Sequence, residues 1–343
     1  MMKKYIRFCI GCLALGTLLF TFNSCTSNDD APVTSNLTIT QTLLTESNLS
    51  TLSQALELAG LSSQLNGTLF YTLLAPDNAA FTRFFNENGY TNGLSDFDTP
   101  DEVAILRQLL LYHVSEGSVR AENYLAVGAA FFNTLSVESP NGGQLSMFFN
   151  TINVNTITFN GGSSNDGASV TRSNIPASNG TIHVINEVMS LPTVNNLVVA
   201  NIGLSSLVEA LTRSDQPDFP GVLAGDTDSP FTVFAPSNDA FTDLINSNSD
   251  WNSVDDIPTD LLTSVLEHHV IPVNNIVSST ISNGQVSPAT LEGDTLTFSV
   301  SGGVITIEDG SGNSGIEITV ANIQAANGVI HVIRKVLIPD TTN

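Results

Sequence analysis

Three segments of this chain occur twice, in the same order, and no other feature limits its possible folds so strongly. Phe70-Tyr71-Thr72-Leu73-Leu74-Ala75-Pro76-Asp77-Asn78-Ala79-Ala80-Phe81 returns as Phe231-Thr232-Val233-Phe234-Ala235-Pro236-Ser237-Asn238-Asp239-Ala240-Phe241. Leu110-Leu111-Tyr112-His113-Val114 returns as Leu266-Glu267-His268-His269-Val270. Asn179-Gly180-Thr181-Ile182-His183-Val184-Ile185 returns as Asn327-Gly328-Val329-Ile330-His331-Val332-Ile333. Ala75 and Ala235, His113 and His269, and His183 and His331 are 160, 156 and 148 residues apart. A unit of that length exceeds the roughly 20–50 residues of a solenoid repeat and matches one ordinary domain. The 343 residues therefore read as two homologous domains, 36–192 and 193–340. Leu191-Pro192-Thr193 marks the joint, and Ile338-Pro339-Asp340 marks the matching end. The complete motif set in each half predicts that each folds on its own.

Within each unit the hydrophobic period changes. Leu49, Leu52, Leu56 and Ala59, and likewise Leu204, Leu207, Val208 and Leu211, stand at helical spacing. Phe231, Val233 and Ala235 alternate as a short buried strand that Pro236 stops. Ser237, or Asp77 in the first copy, is placed to cap the next helix, whose core face takes Phe81 or Phe241. Thr99-Pro100-Asp101-Glu102 is a capping box with Pro at the first helical position. Val103, Leu106, Leu110 and Val114 continue from it as one apolar stripe, with His113 near its carboxyl end. Leu296, Phe298 and Val300, then Ser301-Gly302-Gly303, then Ile305 and Ile307, spell a β-hairpin. Asn179-Gly180 and Asn327-Gly328 are turns before the last strand of each unit. Each domain is mixed α+β, with helices first and strands at both ends.

Taken in order, Phe-x-x-Phe/Leu-Ala-Pro-x-x-x-Ala-Phe, Tyr-His and Asn-Gly-x-Ile-His-Val-Ile resemble the fasciclin (FAS1) domain, twice over nearly the whole chain. The resemblance implies two tandem FAS1-like domains, each a β-sandwich-like core with helices packed along one edge. It also implies an interaction module rather than an enzyme. Tyr112-His113 is the intact match to the Tyr-His motif; the second copy has His268 where the family has Tyr, which weakens transfer of an adhesive role there. Integrin-directed members carry an Asp-Ile motif before the Asn-Gly-x-Ile-His segment. Here those places read Asn174-Ile175 and Asn322-Ile323, so integrin binding is not carried over.

The five histidines invite a catalytic reading, as acids or bases beside Asp or Ser. His113, His183, His269 and His331 recur at paired positions, which favours a repeated core hydrogen bond instead. No Gly-x-Ser-x-Gly elbow, His-Glu-x-x-His helix or phosphate-cradling Gly loop is present. His268 and His269 are neighbours on a helix and point about 100° apart, so they do not share one ion easily. Asp309-Gly310-Ser311-Gly312-Asn313 and Asp226-Thr227-Asp228 offer oxygens to Ca²⁺ but lack the frame of an EF-hand. Turn chemistry explains both, and no metal or cofactor is expected. Trp251, the only Trp, lies in an Asn/Ser/Asp-rich stretch, residues 246–256. It is a candidate stacking platform for a glycan or a buried anchor under a loop.

The first residues read as an address. Lys3, Lys4 and Arg7 precede an apolar stretch from Ile10 to Phe22, too short to span a bilayer and suited to a secretory signal. It ends Phe22-Asn23-Ser24-Cys25, which resembles a bacterial lipobox of the looser Bacteroidota form. The implied organisation is a lipoprotein signal peptide at 1–24, acyl chains such as palmitate on Cys25, and a tether at 25–35. An ordinary secretory signal with an incidental Cys is the other reading. Asp29 and Asp30 resemble a surface-export signal. Cys9 and Cys12 lie in the signal, so one Cys remains and no internal disulfide forms. Loss of Lys3, Lys4 and Arg7 takes the net charge from -23 to -26, which repels nucleic acid.

These readings converge on a non-enzymatic adhesion or extracellular-binding protein of the cell envelope, an outer-membrane lipoprotein exposed at the surface. Its expected partner is an extracellular protein or glycan, and it meets the membrane only through Cys25. The alternative is a hydrolase acting on extracellular polymers, or a polysaccharide-binding accessory protein. A hydrolase requires a convergent acid–base set in one domain, and the sequence offers none.

Overall fold

A computed structural model of the chain describes residues 35–152 and 156–340. The first repeat runs α1 (Ile39–Thr45), α2 (Ser50–Leu58), α3 (Ser62–Leu65), β1 (Tyr71–Pro76), α4 (Asn78–Glu87), α5 (Pro100–Tyr112), β2 (Val114–Glu116) and α6 (Ala121–Val127). It closes with β3 (Ala129–Asn133), β4 (Ser146–Asn150), β5 (Thr158–Phe159), β6 (Ala168–Ala177) and β7 (Gly180–Ile185). The second runs α7 (Val194–Ala200), α8 (Ser205–Leu211), α9 (Phe219–Ala224), β8 (Phe231–Pro236), α10 (Asn238–Asn246), α11 (Thr259–His268) and β9 (Val270–Ile271). Its last strands are β10 (Thr297–Ser301), β11 (Val304–Glu308), β12 (Ile316–Ala325) and β13 (Gly328–Ile333).

The two sheets share one topology. The first is ordered β2-β1-β7-β6-β5-β4-β3 and the second β9-β8-β13-β12-β11-β10. β1 is parallel to β7 and β8 to β13; the other pairs are antiparallel. The second sheet lacks the counterpart of β3, which shrinks to a single bridge between Val286 and Thr297.

Each parallel pair is buried on both faces, which is why its strands read as near-continuous apolar runs. Leu73, Ala75, Ile182 and Val184 join Leu52, Leu56, Phe81 and Leu106 in a core against the helices. Leu74 and Ile185 point the other way, into a core with Tyr112, Tyr124, Met147, Phe149 and Phe159. The second domain repeats this, with Val233 and Ile330 on the helix side and Phe234 and Ile333 on the other. β6 and β12 carry the bend between the two halves of each sheet. Both have register shifts, and Asn174 and Asn322 sit there at φ 60° and 63°.

The helix starts follow local chemistry. Thr99 and Glu102 close their capping box, as Thr38 and Gln41 do before α1. Asp77 and Ser237 accept from the amides of Ala80 and Ala240. One expectation changes: Val114 does not extend the helical stripe. α5 stops at Tyr112, and Val114 opens β2 opposite Leu73, because His113 caps the helix and turns the chain into the sheet.

The two domains touch through polar and apolar groups. The amide of Gln324 donates to Ser146 Oγ at 3.0 Å, and the amide of Ala326 donates to the Pro192 carbonyl at 2.8 Å. Asn165 Nδ2 donates to the Asn196 carbonyl at 2.8 Å, and Phe131 packs against the helix-side core of the second domain. Among the described residues, no single helix is long and apolar enough to cross a membrane.

Candidate functional site: the repeated histidine and asparagine clamps

The four paired histidines are interior, and each bonds through both ring nitrogens. His113 follows α5. Its Nδ1 lies 2.8 Å from the Leu109 carbonyl, and its Nε2 accepts from the amide of Met189 at 3.0 Å. His269 follows α11 and does the same with the Val265 carbonyl, at 2.6 Å, and the Leu337 amide, at 2.9 Å. A carbonyl only accepts, so both rings carry their proton on Nδ1. Each ring ties the last turn of a helix to the chain that leaves the final strand.

His183 and His331 lie on the last strands and use the opposite tautomer. Nε2 of His183 donates to the Val119 carbonyl at 2.9 Å, and Nε2 of His331 donates to the Ile276 carbonyl at 2.8 Å. Their Nδ1 atoms receive the amides of Asn174 and Asn322 at 3.5 and 3.4 Å. His331 also stacks on Phe234, with centroids 5.6 Å apart. Burial pushes His113 and His331 down to about 4 and His269 to about 3, and lowers His183. A neutral ring with both nitrogens bonded offers no site for proton exchange with a substrate.

Tyr112 is likewise enclosed. Its hydroxyl donates to the Ser146 carbonyl at 3.0 Å and accepts from Asn160 Nδ2 at 2.7 Å. The Tyr-His pair therefore meets no solvent, and a direct adhesive contact through it has no exposed atoms to use. His268 takes the matching place in the second domain and is also fully buried. Trp251 is half-buried and packs on the helix-side core of its domain. Tyr90 holds the corresponding place in the first domain, stacked on Phe84 and tilted against Phe97. Cys25 lies outside the described residues.

Asn179 and Asn327 stand in the turns before the last strands. Their side chains do more. Asn179 Oδ1 accepts from the amide of Ile39 at 2.8 Å, while its Nδ2 donates to the carbonyls of Leu65 and Gly67 at 2.8 and 2.9 Å. Asn327 repeats the set with Val194, Leu223 and Gly225. Each thus fastens the first and third helices of a domain to its last hairpin. Asn78 and Asn238 form a second repeated clamp, holding the amides of Thr51 and Ser206 at 3.0 Å each. Recurrence of Asn at the same motif place in both copies was the available signal.

Asn174 and Asn322, both with left-handed backbone, reach the main chain of a neighbouring segment. Asn174 Oδ1 accepts from Ala121 at the start of α6, and Asn322 Oδ1 from Ser278, both at 2.8 Å. The two acidic loops are turns. Asp309 accepts from the amides of Asn313 and Ile338, both at 2.9 Å, and Asp228 is left-handed at φ 62°.

The sequence profile of the fasciclin domain matches residues 47–192 and 203–339, most of the chain. This chain belongs to the fasciclin domain family. Fasciclin-domain proteins are generally extracellular proteins of adhesion type. Protein sll1483 of Synechocystis is 33% identical over 150 residues, 44% of this chain and 75% of that protein. Human periostin is 31% identical over 177 residues, 51% of this chain but 19% of periostin. The solved FAS1 domain pair of the insect cell adhesion molecule fasciclin I aligns over 87% of this chain and 95% of its own, with TM-score 0.49 and 18% identity.

Proposed function

We propose that this fasciclin protein is a non-catalytic adhesion or extracellular-binding module held on the cell envelope by acyl chains on Cys25. One observation carries the non-catalytic part: all four paired imidazoles are spent on internal bonds. The repeat is thus invested in holding two scaffolds rigid, which leaves recognition to loops and sheet edges. Family membership supports an extracellular, adhesion-type role. The basic start, apolar run and Ser24-Cys25 support lipidation, and the tether at 25–35 gives the domains reach from an outer membrane. A net charge of -23 disfavours nucleic acid as partner and leaves an extracellular protein or glycan.

The test has two arms. Cys25→Ser should release the protein from the membrane fraction; unchanged membrane association would refute the anchor. A deletion strain should lose whole-cell adhesion to a protein-coated or glycan-coated surface, and an array of glycans should separate the two partner classes. Full adhesion by the deletion strain would refute the adhesive role.

A further inference from the structure

We propose that the second domain carries a divalent-cation site that the first domain lacks, built from His268, Glu292 and Asp294. His268 ends α11, and the two carboxylates lie on the loop before β10. One donor atom from each of the three lies within 4.8 Å of the others.

The imidazole differs from the other four in its bonding. Each of those has a ring nitrogen 2.6–2.9 Å from a carbonyl. Nδ1 of His268 has only Thr290 Oγ1 at 3.5 Å and Glu292 Oε2 at 3.4 Å, although the ring is fully buried. Those lengths lie beyond the usual N–H···O range. A separation of 3.4 Å instead fits one edge of a tetrahedron of ligands, about 3.3 Å for metal bonds of about 2.0–2.1 Å. The fully buried Nδ1 therefore has only long contacts, as the Nδ1 atoms of His183 and His331 do, but it faces carboxylate oxygen where theirs face a backbone amide.

Charge points the same way. The groups that act on the ring are Glu292, Asp294 and Asp309, all acidic, and Glu267 stands beside Glu292. The carboxylates are themselves held in place. Asp294 Oδ2 accepts from the Asp340 amide at 2.7 Å, and Glu292 Oε2 accepts from the Asp294 amide at 3.2 Å. Such outer bonds orient ligands for an ion. At the matching place in the first domain, the Tyr112 hydroxyl is satisfied by Ser146 and Asn160. One nitrogen with two carboxylates suits Zn²⁺ better than Ca²⁺ or Mg²⁺, which take all-oxygen sets.

Without the ion, Nε2 accepts from the Gly310 amide at 3.2 Å, so the ring proton sits on Nδ1. Ion uptake at Nδ1 moves that proton to Nε2. The Gly310 amide must then release the ring, so the turn from Asp309 to Asn313 is the element that shifts.

The experiment titrates the full chain with ZnCl₂ by calorimetry and follows melting, with CoCl₂ as a spectroscopic substitute. One saturable ion per chain is expected, with a raised Tm, a visible Co²⁺ band and a shifted Gly310 amide resonance. Glu292→Gln and Asp294→Asn should each weaken Zn²⁺ binding at least tenfold, and His268→Tyr, the first domain's choice, should abolish it. No saturable ion would overturn the proposal. So would binding of parental strength in Glu292→Gln and Asp294→Asn, which means an adventitious ion only. Glu292 is partly exposed and its Gln variant is nearly isosteric, so that variant decides the matter even where His268→Tyr misfolds.

Discussion

His113 accepts a hydrogen bond from the backbone amide of Met189, 76 residues later, through a ring nitrogen 3.0 Å away. His269 makes the same bond to Leu337 in the second domain. Each ring closes its domain by fastening the end of a helix to the segment that follows the last strand. Replacement by Ala strands a buried amide and a buried carbonyl, each costing about 1–3 kcal/mol. His113→Ala and His269→Ala should each lower stability by about 2–4 kcal/mol, seen as a fall of about 5–15 °C in Tm. Adhesion should fall only with the unfolded fraction. A parental melt with adhesion abolished would reverse this assignment.

The asparagine clamps should matter as much. Asn179→Ala leaves the Ile39 amide and the Leu65 and Gly67 carbonyls without their partner. A loss of about 2–4 kcal/mol is expected in denaturant melts. Asn179→Asp keeps the acceptor for Ile39 but faces two carbonyls with a carboxylate, so it should be no better.

Protonation gives a directional test. Burial holds His331 at about 4, against an unfolded value of about 6.5. Between those values the unfolded chain binds the extra proton, so the stability contribution is intact above pH 6.5 and is lost as pH falls through 4. His331→Gln should remove this dependence, so the parent should lose about 2–3 kcal/mol more than the variant between pH 7 and 4.5. In nitrogen-15 spectra at pH 7, His113 should show the Nδ1–H tautomer and His331 the Nε2–H tautomer. The same tautomer in both would contradict the bonding described.

Val273 occupies a left-handed backbone position, φ 57°, where the first domain has Gly117 at φ 84°. A β-branched residue there costs about 1–2 kcal/mol, partly offset when Gly loosens the unfolded chain. Val273→Gly should stabilise the second domain by about 0.5–1 kcal/mol, measured as a shift in denaturant midpoint at unchanged slope.

What the sequence determined by itself is local. Two copies of three motifs defined a tandem, Thr99 and Glu102 announced a helix start, and the alternation from Leu296 to Ile307 announced a hairpin. Caps, turns and periodicity act over a few residues, so they are legible in order along the chain. The tertiary structure decided the partners. It turned Val114 from helix into strand, gave His113 and His331 opposite tautomers, and made Asn179 a three-way clamp. It also set Gln324 on Ser146, 178 residues away, and brought His268 to Glu292 and Asp294. A buried polar group must find a partner wherever packing delivers one, and that partner depends on how two faces of a bent sheet meet, which no short window of sequence records.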